Sequence, residues 1–217
     1  RLIAFCSLNP LADYALAELD RCAGSPHFKG LKLQLDASGV DYKNPEHVAK
    51  LRRVFEASNR HRFPITVHVR PLGDYGREHA EIFLHQILPA APDVPVQIAH
   101  LWGGGAFSEP ALATFADAVA AGHPATKNLY FDVSDAAPAA SESEEIARTI
   151  AQRIRQIGLR RILYGSDAAG THPPPREAWV AFRKEIPLTE EEFRTIANNV
   201  LPYVGGNRAA EPVRRQH

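Results

Sequence analysis

The sequence predicts an α/β protein of the (β/α)8 TIM-barrel type, on three observations. Short apolar runs alternate with amphipathic stretches six times, at about 30 residues per unit, the size of a βαβ repeat. Three of these runs end in a side chain suited to chemistry, His68, His100 and Asp167. Such groups spread over several strand ends suit a barrel better than a doubly wound sheet, where the site crowds one Gly-rich turn. Gly103–Gly105 is no such turn, because it lacks the dinucleotide spacing and the Lys-Ser/Thr ending of a phosphate loop. Six strands do not close a barrel, so the first one or two βα units are expected upstream of Arg1. At about 30 residues per unit, that is about 60 residues or more. A chain opening inside a strand-like run and containing no Met fits this expectation.

Composition bounds the rest. A length of 217 residues suits one domain, expected over residues 1–204, with 205–217 as a frayed tail. The chain is 45% hydrophobic and 23% charged, and no apolar run approaches the roughly 18 residues that a membrane helix needs. Lys plus Arg and Asp plus Glu both number 25, so neither nucleic acid nor an anionic membrane is expected as a partner. A small-molecule substrate is expected instead, with a homo-oligomer left open. Cys6 and Cys22 are too few for a disulfide framework and form no Cys-x-x-Cys pair, so reduced thiols in a cytoplasmic protein are expected.

The elements follow in order. Leu2–Leu8 is a strand closed by Asn9-Pro10, and Asp13–Cys22 a helix with Tyr14, Leu16 and Leu19 at helical intervals. Residues 28–35 alternate as a strand does. Asn44-Pro45-Glu46 starts a helix by mechanism: Asn caps, Pro fills the first turn, and Glu meets the positive end of the dipole. Ile65–Val69 is a strand, and residues 77–88 a helix stopped by Pro89 and Pro92. Val96–His100 is a strand, after which Ser108 is expected to cap a helix bearing Leu112, Phe115, Ala116 and Val119. Leu129–Val133 is a strand, Ser134–Ser143 reads as a loop, and Glu144–Ile157 is a helix stopped by Gly158. Arg161–Asp167 carries the last strand, Ala168–Pro175 is a loop, and Thr189 with Glu192 forms a capping box.

Barrel topology sends every C-terminal strand end to one face, so His68, His100 and Asp167 are expected to converge there. Two nitrogens and a carboxylate suit zinc and related divalent ions. Lys32 is read as a charged strand residue or a contributor to the site. Arg70 offers a fork for a substrate carboxylate, and Trp102 and His172 lie on loops where substrate selectivity would reside. Asp132 and Asp135 read as capping or turn residues.

The order of strand-end His68, of His100 within Ala99–Gly104, and of Tyr164-Gly165-Ser166-Asp167 resembles the amidohydrolase-related family of metal-dependent TIM-barrel hydrolases. That family also includes metal-dependent decarboxylases. Gly30–Leu33 and the closing helix with Asn198-Asn199 are similar to it as well, so the likeness covers Arg1 to about Val204. It implies that His68 is a metal ligand from strand five. It also implies that His100, from strand six, is a ligand or catalytic imidazole, and that Asp167, from strand eight, is a ligand and proton-transfer carboxylate. The family's His-x-His pair on the first strand does not occur in these residues.

The expected function is therefore a metal-dependent hydrolase, most simply a zinc enzyme, that activates water against a small ester, lactone or amide bearing a carboxylate. A decarboxylase or hydratase on the same scaffold is the alternative, since fold does not fix reaction. A catalytically silent binding barrel is a third.

Overall fold

The computed structural model describes residues 3–168 and 173–201. Its frame is a parallel sheet whose six strands lie in chain order. These are β1 (Ala4–Ser7), β2 (Phe28–Gln34), β3 (Ile65–His68), β4 (Val96–Ile98), β5 (Leu129–Asp132) and β6 (Ile162–Leu163). A doubly wound sheet reverses its strand order at a switch point, whereas here each strand pairs with the next from first to last. That is the arrangement of consecutive barrel strands.

Register explains the two faces. Ser7, Lys32, Thr66, Gln97 and Tyr130 pair in one row across β1 to β5. Gln34 with His68, and Asp132 with Leu163, pair one step further along the strands. These positions share one face, since side chains alternate along a strand. The intervening Leu31, Leu33, Ile65, Val67, Val96, Ile98, Leu129 and Phe131 are buried against helices on the other. A polar inner face thus leads up to the strand ends that carry the candidate site.

The helices are α1 (Ala15–Ala23), α2 (Pro45–Arg60), α3 (Arg77–Ile82), the short turn α4 (His100–Gly103), α5 (Glu109–Ala120), α6 (Ala136–Ser141), α7 (Glu144–Ile157), α8 (Pro175–Glu185) and α9 (Glu190–Asn198). α3 runs on into a π-helical turn at Phe83–Ile87. Phe83 meets Phe55 of α2 edge-on at 5.8 Å and Phe115 of α5 at 6.2 Å, and Phe115 meets Phe131 of β5 at 6.1 Å. Such aromatic pairs add about 0.5–1.5 kcal/mol each beyond their buried area. They tie three helical segments to the middle of the sheet.

Caps form where the sequence places them at two helices. The Asn44 side chain accepts from the Glu46 N–H, and Thr189 with Glu192 completes a capping box. Ser108 differs: it makes no side-chain cap, because its hydroxyl donates to the Tyr75 carbonyl at 3.1 Å and so ties down the preceding loop.

Other readings need correction. Part of the loop expected at Ser134–Ser143 is helix α6, whose alanines pack against α7 and α8, tertiary burial overriding the Ser and Pro signals. Helix α8 was not anticipated; it buries Phe182 and sets Trp179 against Tyr164 and Phe193. On α1 the inward residues are Ala15, Leu19 and Cys22, while Tyr14, which precedes the helix, and Leu16, which lies off its buried side, are exposed. Cys6 and Cys22 are not free thiols but a disulfide: α1 packs back against β2 and α2, and the Cα atoms of the two cysteines lie 6.1 Å apart. The tail at 205–217 lies outside the described residues, and no helix among those described is long and apolar enough to cross a membrane.

Candidate metal centre

The site is built on the C-terminal ends of β3, β4, β5 and β6. Ile65 and Val67 bury into the helix layer, which turns Thr66 and His68 to the opposite face. His68 Nε2 lies 3.7 Å from an Asp36 carboxylate oxygen in the loop after β2. Burial holds the His68 imidazole below its ordinary pKa; Asp36 opposes this, while His100, Lys32 and Arg70 push the same way.

β4 stops at Ile98, two residues short of the expected end, because the chain turns sharply at His100. His100 and Leu101 both have φ of 58°, the left-handed region that is strained for residues with a side chain. Three glycines with positive φ follow, Gly103, Gly104 and Gly105, and the loop they form closes over the end of β3. A Cβ on Gly104 would collide with the His68 ring, so the close approach itself requires glycine there. The loop sets the His68 and His100 rings 5.1 Å apart at 70°.

Three further carboxylates border His100. Asp132, at the end of β5, is buried and hydrogen-bonded on both oxygens. Oδ2 accepts from Gln97 Nε2 at 2.7 Å, and Oδ1 accepts from the backbone N–H groups of His100 and Ser134 at 3.1 Å each and from the Ser134 hydroxyl. Asp135 follows with φ of 58°, its carboxylate 3.8 Å from His100 Nδ1. Asp167, just beyond β6, is also left-handed at φ 48°. One ligand atom each from His100, Asp135 and Asp167 lies within 4.8 Å of the others, a possible metal site of one nitrogen and two oxygens. That donor set suits zinc and other borderline divalent ions. A cavity of about 390 Å³ opens beside it, lined by Asp135, Gly165 and Ser166 on one side and Ala178, Ala181 and Phe182 on the other.

Of the residues singled out in the sequence, His100 and Asp167 come together in this group, and His68 borders it through its ring contact with His100. Asp135, read from sequence as a turn residue, completes it. Lys32 stands on the inner face, where burial lowers its pKa against the opposing pull of Asp132, Asp167 and Asp36. Arg70 stacks over Tyr75 at 5.9 Å and donates through Nη1 to Gly104 O at 2.9 Å. Trp102 is 1% exposed, packed edge-on against Phe107 with its indole N–H donating to Gly105 O. His172 lies outside the described residues. Sequence reading missed Ser134 and Asp135, whose one signal was their position directly after a strand, the place where His68, His100 and Asp167 also sit.

Residues 1–199 match the sequence model of the amidohydrolase family. The chain belongs to that family. No curated protein sequence gives a significant match. Among solved structures, the amidohydrolase chain is similar to apo IDCase from Metarhizium anisopliae, at 15% identity and a TM-score of 0.54, over 90% of this chain and 62% of that one. It is also similar to the 5-carboxyvanillate decarboxylase LigW from Sphingomonas paucimobilis, at 16% identity and a TM-score of 0.59, over 91% of this chain and 64% of that one. The amidohydrolase chain thus spans less than two thirds of either structure, and at these identities the likeness is one of fold, a parallel α/β sheet of TIM-barrel type.

Proposed function

We propose that this amidohydrolase holds a divalent metal ion, most simply zinc, and hydrolyses a small ester, lactone or amide that carries a carboxylate. The observation that supports this reading is the convergence of His100, Asp135 and Asp167 within 4.8 Å, with the His68 ring alongside. His68, Asp135 and Asp167 would hold the ion, with His100 as a fourth ligand or as the imidazole beside it, and the ion when bound supplies Lewis-acid activation of water or of a substrate carbonyl. Asp167 takes the proton from the attacking water as general base. Where His100 stands beside the ion rather than on it, its imidazole, once protonated at Nε2, hydrogen-bonds the oxygen on which negative charge develops. Arg70, with Nη1 engaged by the loop carbonyls, reads the substrate carboxylate through its remaining N–H groups. Trp102 acts by keeping the loop from His100 to Ala106 in place, and His172 is read, from the sequence, as a substrate contact. The substrate body would occupy the cavity beside Asp135.

A decarboxylase reading is favoured by one observation, the likeness in fold to LigW, itself a 5-carboxyvanillate decarboxylase. On that reading His100 supplies the proton that replaces the departing carboxyl group. Metal analysis of the purified protein, followed by a panel of carboxylated esters, lactones, amides and aromatic acids, separates the cases. Stoichiometric metal with hydrolytic turnover supports the first reading, and evolved carbon dioxide replaces it with the second. Protein that binds no divalent metal would leave a silent binding barrel.

A further inference from the structure

Asp132 and Ser134 lie behind His100, on the side of its ring where Nδ1 sits. Nδ1 has two oxygens of Ser134 within reach, the hydroxyl at 2.8 Å and the backbone carbonyl at 3.3 Å. A carbonyl oxygen only accepts, so the ring nitrogen facing it must be the one that carries hydrogen. The hydroxyl leads to the same assignment. Ser134 Oγ bonds to Asp132 Oδ1, a carboxylate oxygen that already accepts from two backbone N–H groups. An ionised carboxylate has no proton to give, so the serine proton points to Asp132 and the serine lone pairs face His100. All three residues are about 5% exposed, so bulk water offers Nδ1 little competition.

We propose that Ser134 and Asp132 are positioning residues that fix the neutral His100 imidazole as its Nδ1–H tautomer, with the proton directed through Ser134 to Asp132 and Nε2 left as the bare nitrogen. The inference rests on the proposed role of His100 in the metal centre and says which ring atom carries that role. The Asp135 carboxylate, 3.8 Å from Nδ1, is a further acceptor on that side of the ring and favours the same Nδ1–H form, so Nε2 is the nitrogen left to ligate or exchange protons. The arrangement resembles a His–carboxylate pair with a hydroxyl inserted, in which the carboxylate orients the ring and stabilises its protonated form. The backbone N–H bonds from His100 and Ser134 to Asp132 hold both partners in register, so the sharp turn at His100 and the relay are one construction.

The test is nitrogen-15 NMR of the imidazoles of the full chain at a pH where they are neutral, with the His100 signals assigned by their loss in His100→Gln. A protonated-type shift at Nδ1 and an unprotonated-type shift at Nε2 are expected. Added Zn²⁺ is expected to move the Nε2 resonance. Ser134→Ala should turn the single tautomer into a mixture, and Ser134→Thr, which keeps the hydroxyl, should restore it. An Nε2–H tautomer in the unsubstituted protein, or Zn²⁺ acting on Nδ1, would overturn the proposal, and neither result depends on the Ser134 variants folding. Turnover distinguishes the two readings. The expected tautomer in a protein that binds no metal leaves the relay standing and removes the metal-centre function. In an active protein Ser134→Ala should lower kcat about 10-fold or more with KM little changed and Ser134→Thr recovering it, whereas equal kcat in all three forms would overturn the positioning role.

Discussion

Gly104 lies directly against the imidazole of His68, so that a methyl group there would overlap the ring carbon Cε1 and both ring nitrogens. Its φ of 99° is also one that residues with a side chain rarely adopt. Gly104→Ala is therefore expected to cost about 1–3 kcal/mol of stability from strain and overpacking. It should also displace His68 and lower metal affinity. Urea unfolding and metal titration of the variant measure both, and a variant with the midpoint and affinity of the parent would show that the loop has room to spare.

Asp167 and His68 should fail differently. Asp167→Asn keeps the volume and removes the base, so turnover should fall by about 10² or more. His68→Ala should act first on metal occupancy, because losing a ligand lowers affinity before it touches chemistry. Metal content and kcat recorded on the same preparations separate the two, and near-normal kcat in metal-loaded Asp167→Asn would make Asp167 structural.

Acid stability has an identifiable contributor away from the site. The Arg155 guanidinium of α7 binds Glu192 of α9 in a fork, at 2.6 and 2.9 Å, and holds its carboxyl at about 2, below the ordinary 4.5. A carboxylate whose folded pKa is depressed contributes stability above its unfolded pKa and loses it as pH falls toward the folded one. The contribution should therefore be full above about pH 4.5 and fade toward about pH 2. Glu192→Gln should flatten the stability profile across that window; a profile parallel to the parent's would assign the acid sensitivity elsewhere.

Asn199 anchors β6. Its side-chain amide donates to Leu159 O at 2.6 Å and to Ile162 O at 2.7 Å, closing off the start of a strand only two residues long. Asn199→Ala leaves two carbonyls without this donor and should cost about 1–3 kcal/mol. Hydrogen exchange should localise the loss to β6 and α9, and protection unchanged there would show that water replaces the amide without penalty.

The Cys6–Cys22 bond closes a short loop between β1 and α1, with a sequence separation of 16. A loop of that size is stabilised by about 3 kcal/mol through the restricted unfolded chain. Denatured, unreduced protein should accordingly show no free thiol, and reduction should lower the unfolding midpoint. Two titratable thiols before reduction would contradict the bond.

How far the sequence reached depended on the kind of signal. The six strands were legible because apolar alternation is set by burial, nearly complete here for residues such as Ile65, Val67, Ile98 and Phe131, and their parallel sense because a helix intervenes between each strand and the next. Asn44 and Thr189 were legible because their caps are local. Ser108 carried the same local signal, yet its hydroxyl found a partner 33 residues away, which no window of sequence contains. Helix α6 was hidden by its Ala, Ser and Pro content, and the early end of β4 by a turn that depends on Asp132 accepting the His100 N–H from the next strand. Within the site, His68, His100 and Asp167 stood out as ligand types at strand ends. Asp135 and Ser134 did not, because an Asp or Ser after a strand is ordinarily a turn residue and only the fold brings these two against His100.

The left-handed residues bear on how this protein responds to selection for robustness. Among the described residues, five other than glycine have positive φ, and four of them, His100, Leu101, Asp135 and Asp167, sit at the candidate centre. A left-handed backbone costs a residue with a side chain about 1–2 kcal/mol that glycine escapes. A screen rewarding heat resistance alone would thus find some of its most accessible gains in replacing these side chains with glycine, and each gain at His100, Asp135 or Asp167 would delete a donor atom. Consensus or computational stabilisation of this chain is best confined to the helix layer, where added rigidity and the proposed chemistry do not compete.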